Sequence, residues 1–158
     1  DRIKLEIAET NKKIIGISWL SRQTQNIAAR KSINLELLAK KLSAPNVKLI
    51  SLQYGDVTKE ISDLKKRTGI EVVELPWLNN TENIDGLAAL IMACDEVVTV
   101  ANTTAHLAGA IGKKANVLLP YFCDWRWGLE SQSTYWYSSL KLLRPTKIQD
   151  WDSVLAQL

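Results

Sequence analysis

The chain reads as a three-layer α/β domain built on a parallel sheet. Three observations carry this expectation. Short apolar runs alternate five times with helix-length segments. The runs are continuous rather than alternating, as in IIGISW, VKLISLQ and EVVTV, which is how strands buried on both faces look. Helix-length crossovers between them imply parallel neighbours with right-handed connections, a Rossmann-like arrangement. At 158 residues and 46% apolar, the chain suits one domain that buries about two-thirds of its unfolded surface.

Residues 1–13 are polar and weakly periodic and read as a linker or an edge segment, so the domain proper spans 14–158. Ile14 to Trp19 is the first strand, and the polar stretch Ser21 to Ser32 is a loop. Asn34 can cap a helix whose Leu35, Leu37, Leu38 and Leu42 fit helical spacing, before Pro45-Asn46 breaks the chain. Val47 to Gln53 is the second strand, and Val57 to Thr68 a helix stopped by Gly69. Ile70 to Leu75 is the third strand, closed by Pro76. Asn83 caps a helix with Ile84, Leu87, Leu90 and Ile91 on its apolar face. Glu96 to Val100, a small-residue helix over Thr103 to Ile111, and Ala115 to Leu119 follow. After an aromatic loop over 121–138, Leu140 to Leu143 is a sixth strand and Asp150 caps a last helix.

Several function classes drop out. There is no run of 18 apolar residues and no charged-then-apolar start, so neither a membrane span nor a secretory signal is expected within this chain. A chain that starts at Asp1 rather than Met suggests a processed or excised piece. Cys94 and Cys123 form no C-x-x-C pair and His106 is the one histidine, which argues against zinc. Both cysteines are expected as buried, reduced thiols, hence a reducing, cytoplasmic setting. The net charge of +3 does not announce a nucleic-acid binder. Its distribution is uneven. Residues 1–67 carry 14 Lys/Arg against 7 Asp/Glu, and the remainder 6 against 10. A basic first half can attract phosphate, or it can be the solvated face of helices. The chain has no G-x-G-x-x-G, no G-x-x-x-x-G-K-[ST] and no G-x-S-x-G.

Open parallel sheets bind ligands beyond the carboxyl ends of their strands. The most informative of these ends is Ala101-Asn102-Thr103-Thr104-Ala105-His106. Asn102 and the two threonines suit a helix start, where free backbone N–H groups and the helix dipole favour an anion. The same residues also make a well-capped helix packed tightly on a sheet. His106, in the first helical turn, is expected neutral, either as a hydrogen-bond donor or satisfied by a backbone carbonyl. Ser18, Ser21, Arg22 and Lys31 could also reach a phosphate. In Asp124-Trp125-Arg126-Trp127 an arginine lies between two indoles that either stack on a ligand or plug the core edge.

The stretch VVTVANTTAHLAGAIGKKANVLLPYFCDWRWGLE resembles the C-terminal domain of bacterial GT-B glycosyltransferases, specifically the heptosyltransferase-like family 9 domain found behind tetratricopeptide (TPR) repeats. GISW, RKSINLELL, SLQYGD and YSSLKLLR fall in the expected order, so the resemblance covers residues 14–158. It implies one nucleotide-sugar-binding half of a two-domain enzyme, with the acceptor pocket and catalytic base on another domain. It further implies metal-independent, inverting transfer from a nucleotide-diphosphate sugar, with no cofactor. Ser18, Lys31, Asn102, Thr103, Thr104 and His106 would hold the diphosphate. Gln53 and Leu75, Pro76 and Trp77 would line the base and ribose side, and Trp125, Arg126 and Trp127, beside Asp124, would close over the sugar or the diphosphate. The family carries D-T-G-x-x-H where this chain has Asn102-Thr103-Thr104-Ala105-His106. That departure keeps open a non-catalytic nucleotide-binding or interaction module attached to a TPR array. A non-hydrolysing epimerase-like domain would call for extra Glu/His residues that this chain lacks. The sugar, the nucleotide and the acceptor are not specified.

Overall fold

A computed structural model describes residues 2–9, 11–22 and 30–158. In chain order the elements are α1 (Arg2–Ile7), β1 (Lys13–Ser18), α2 (Leu35–Leu42), β2 (Val47–Ser51), α3 (Thr58–Thr68), β3 (Val72–Val73) and α4 (Ile84–Ala93). Then come β4 (Glu96–Val100), α5 (Thr103–Ala110), β5 (Ala115–Leu118), a 3-10 turn (Trp125–Trp127), β6 (Leu140–Leu143) and α6 (Trp151–Leu155). All six strands are parallel, in the order β3-β2-β1-β4-β5-β6. The expected three-layer, Rossmann-like α/β class is therefore the fold observed.

Strand alternation sorts the apolar side chains into two cores, one on each face of the sheet. Ile14, Ile50, Val97 and Val117 face α4 and α5, where Leu87, Leu90, Ile91, Ala105 and Ala108 meet them. Ile15, Leu49, Val98 and Leu118 face the other way, against Leu38 of α2, Ile61 and Leu64 of α3 and Val154 of α6. The small residues of α5 let it lie close on the sheet. Capping follows the sequence. Asn34, Asn83 and Asp150 accept backbone N–H bonds at their helix starts, and Gly69 closes α3 in the left-handed region at φ 74°.

Three expectations are corrected. The first is the linker or edge segment over 1–13, which contains α1. This helix is held by an Arg2–Glu6 pair four residues apart and by Ile7, which is buried in the first core. Six residues are too few to show helical periodicity, so tertiary docking decides. The second is the third strand, which shrinks from the expected 70–75 to Val72–Val73 because it is an edge strand paired only at Leu49 and Ile50. The third concerns the cysteines. Cys94 is buried, and burial lifts its thiol to about 12. Cys123 is only half-buried and accepts a bond from Arg144 Nη1 at 3.3 Å. Of the loop expected over 21–32, residues 23–29 lie outside the described residues, while Arg30 and Lys31 are helical.

Candidate functional site

The strand order reverses between β1 and β4, and at such a switch point the connections leave in opposite directions and open a crevice. Ser18 ends β1 and Asn102 follows β4, and Asn102 Nδ2 donates to Ser18 Oγ at 2.7 Å and to the Leu20 carbonyl at 3.0 Å. Ser18 Oγ in turn donates to Gln53 Oε1 at 3.0 Å. The same Gln53 oxygen accepts from the backbone N–H groups of Trp19 and Leu20 at 2.9 and 2.8 Å. Ser18, Gln53 and Asn102 are all buried. They form a closed polar network that fixes the turn after β1 against the start of α5. Buried polar groups are expensive when left unpaired, so such a network holds its members in place.

Asn102 caps α5. Its Oδ1 accepts from the N–H groups of Thr104 and Ala105 at 3.0 and 3.4 Å. Part of the helix end that the sequence offers to an anion is thus occupied by the cap itself. Thr103 is exposed, whereas Thr104 is fully buried and its hydroxyl has no partner. The expected ligand contact from Thr104 is corrected on this ground, and Ser18, Gln53 and Asn102 likewise serve as buried supports. Thr103, Lys31, His106, Asp124, Trp125 and Arg126 are exposed or half-buried around the same helix end.

These outer residues act on one another electrostatically. His106 is half-buried, and burial, followed by the charges of Arg126 and Lys31, holds its pKa below the ordinary 6.5 against the opposing pull of Asp124. Its neutral state matches the expectation, although burial rather than the helix end is the leading cause. Burial pushes Asp124 upward, but hydrogen bonds from the backbone and guanidinium of Arg126, with the charges of Arg126 and Lys31, bring it net below its usual value. Arg126 Nη1 donates to Asp124 Oδ1 at 2.7 Å, and the guanidinium lies 4.8 Å from the Trp125 ring centroid.

The two indoles of the loop divide their roles. Trp127 is buried and stacks on His106 at 4.8 Å between centroids, so it is a core plug that also backs the imidazole. Trp125 is 70% exposed and meets Trp136 edge to face. His106 Nδ1 is also 3.3 Å from the hydroxyl of Tyr137. Tyr137 sits directly on α5 where Gly109 lacks a side chain: a Cβ there would lie 2.4 Å from the tyrosine ring. Arg144, just beyond β6, holds the whole loop by donating to the carbonyls of Trp127 and Ser131. Sequence reasoning did not single out Tyr137 or Arg144 as part of the site. The one available signal was that Arg144 stands at the carboxyl end of a strand.

A cavity of about 580 Å³ opens at the ends of β2 and β3, beside Gln53 and Pro76. Pro76 is exposed at its edge, and Trp77 next to it is clamped by α1: its Nε1 donates to Glu6 at 2.7 Å and Arg2 covers its ring at 3.9 Å. Gln53 therefore belongs both to this cavity wall and to the network around Asn102. Among the described residues, no cluster of three or more His, Cys, Asp or Glu side chains could hold a metal ion. No helix among them is long and apolar enough to cross a membrane.

This is the architecture of a doubly wound α/β domain with its crevice at the switch point. A structural counterpart is a glycosyl transferase of family 9 from Veillonella parvula, with a TM-score of 0.57 at 10% sequence identity, covering 91% of this chain and 40% of that one. Among curated proteins, Protein FlbA of Caulobacter vibrioides is 28% identical over 144 residues, covering 91% of this chain and 24% of FlbA. No protein-family model matches the chain. The chain thus spans about a quarter of the length of one relative and two-fifths of the other. At this identity the structural likeness establishes a family 9-like fold.

Proposed function

We propose that this domain is the donor-binding half of a glycosyltransferase, holding the diphosphate of a nucleotide-sugar at the start of α5. One observation carries the reading. The buried Ser18–Gln53–Asn102 network sits at the switch point and holds a helix start that is exposed at Thr103 and ringed by Lys31, Arg126 and a neutral His106. In transfer, the bond from the anomeric carbon to the diphosphate oxygen breaks, its electrons leave on the diphosphate, and an acceptor oxygen attacks from the opposite face. The acceptor's proton goes to a base on another domain. Lys31, Arg126 and the Thr103 hydroxyl would stabilise the charge that builds on the leaving group, with no metal required. With Tyr137 donating to Nδ1, His106 would offer Nε2–H to a phosphate oxygen. Gln53 and Pro76 would border the nucleoside, and Trp125 with Asp124 and Arg126 would close over the sugar.

Calorimetric titration with UDP-, ADP- and GDP-sugars tests this. Heat from at least one, abolished by Lys31→Ala with Arg126→Ala, is the expected result. Silence from every nucleotide-sugar and from pyrophosphate would refute it. A second reading, a non-catalytic nucleotide-binding module attached to a TPR array, is favoured by one feature. Asn102 stands where the resembled family has an acid, and its amide is engaged by internal bonds at both atoms. Binding without turnover, even alongside the rest of the full-length protein, would select that reading.

A further inference from the structure

We propose that α1 is a strap on the cavity at the ends of β2 and β3. Docked, it holds one wall of that cavity, residues 75–82, in place; released, it lets the wall loosen. Such a strap acts whatever ligand fills the cavity, so it extends beyond the donor-binding reading.

The wall is folded on itself. Leu78 donates its backbone N–H to the Leu75 carbonyl at 2.9 Å, and Asn83 donates to the Asn79 carbonyl at 2.9 Å. Asn79 Oδ1 accepts from the N–H groups of Thr81 and Glu82 at 3.0 and 3.2 Å. At its tip, Asn80 Nδ2 donates to the Gln53 carbonyl at 3.2 Å and Thr81 Oγ1 accepts from the Gly55 N–H at 3.1 Å. At its other end the wall is tied through Trp77, which is 40% exposed and held by α1 rather than by the core. One carboxylate makes the tie. Glu6 Oε2 accepts from Trp77 Nε1 at 2.7 Å, while Glu6 Oε1 accepts from Arg2 Nε at 2.8 Å. The Arg2 guanidinium completes the clamp at 3.9 Å from the centroid of the Trp77 ring. The bond from Trp77, ahead of that from Arg2, holds Glu6 below the usual carboxylate value, so the bridge is charged at neutral pH.

The helix depends on this docking in turn. Six residues are too few for a helix to persist alone in water. Ile7 is buried in the first core and Ile3 packs against it, which leaves Arg2 and Glu6 to fasten the outer side onto Trp77. Short, partly solvated elements of this kind open locally at far less cost than global unfolding. Two elements that stabilise each other are coupled reciprocally, so opening either one favours opening of the other. A ligand that needs the wall in place would by the same linkage keep α1 docked.

Residue-resolved hydrogen exchange on the intact chain, without ligand, tests the strap. Glu6→Ala should speed exchange of the Leu78 and Asn83 amides about tenfold, the size of one charge-assisted hydrogen bond weakened by solvent, and leave the β4 amides unchanged. Trp77→Phe keeps a ring beneath Arg2 but loses the N–H. It should speed the amide of Ala8, which donates to the Lys4 carbonyl on α1, by a similar factor of about ten. In about 1 M sodium chloride, where the Debye length is roughly 3 Å, the wall amides should speed up in the wild-type chain but not in Glu6→Ala. Wall amides that keep their wild-type rates in Glu6→Ala would overturn the strap, and so would an unmoved Ala8 in Trp77→Phe. Acceleration that reaches β4 equally, or a salt response equal in both chains, would overturn it as well.

Discussion

The two halves of the sheet's carboxyl edge are built from opposite materials. At β4 and β5 the helix start of α5 is ringed by Lys31 and Arg126 beside a neutral imidazole, and its polar core is fully paired except for Thr104. At β2 and β3 the cavity is lined by Asp56, Glu74 and Glu82 and keeps two polar atoms unpaired. Gln53 joins them. The positive side suits an anion, and the acidic side suits hydrogen-bond donors. The difference teaches that the polar groups behind the positive side are tied to one another, whereas those behind the acidic side include buried atoms with no partner.

The largest expected effect falls on the junction. Asn102→Ala removes the α5 cap, takes a donor from the buried Ser18 hydroxyl and leaves the half-buried Leu20 carbonyl with Gln53 Nε2 as its side-chain donor. A loss of about 2–4 kcal/mol in denaturant-measured stability is expected, combining a cap with a weakened buried network. A loss below about 0.5 kcal/mol would show that the two halves are not tied together there. Next comes the positive side alone. Lys31→Ala with Arg126→Ala should lower pyrophosphate affinity about 100-fold, the size expected for losing two charge-assisted contacts. The melting temperature should barely move, because the Arg126–Asp124 pair is partly solvated.

Smaller effects separate the neighbouring threonines. Thr103→Ala should weaken pyrophosphate several-fold, on the order of one neutral hydrogen bond. Thr104→Val should leave affinity unchanged and stability equal or improved, since it replaces a buried hydroxyl without a partner. A Thr104→Val variant that loses binding would return that hydroxyl to the site. The smallest effect is in acid. His106 resists protonation when folded, so its contribution to stability is complete above pH 6.5 and is lost as the pH falls below it. Chemical melts at pH 7.5 and 5.5 should show His106→Gln to be the less acid-sensitive chain.

Much of this frame was legible in the sequence. Glu96–Val100 and Leu140–Leu143 are strands over the expected residues, because continuous apolar runs admit little else in a buried sheet. Asn34 and Asp150 cap as their positions suggest. What escaped depends on contacts distant in sequence. The helix Arg2–Ile7 is set by docking on α4, and β3 is cut short at a sheet edge, which no local pattern records. Within the site, Thr103 and Thr104 look equivalent as letters, and only the helix's rotation on the sheet buries one and exposes the other. Tyr137 reaches His106 because Gly109 leaves room 28 positions earlier.

The central claim is that a diphosphate sits at the start of α5, against His106. The chain has a single histidine, so its imidazole signal in a nuclear magnetic resonance pH titration is unambiguous. Free protein should titrate below 6.5, and saturating pyrophosphate should raise that pKa, because a bound anion favours the protonated ring. A His106 resonance that neither shifts nor changes its pKa when pyrophosphate is added would contradict the account.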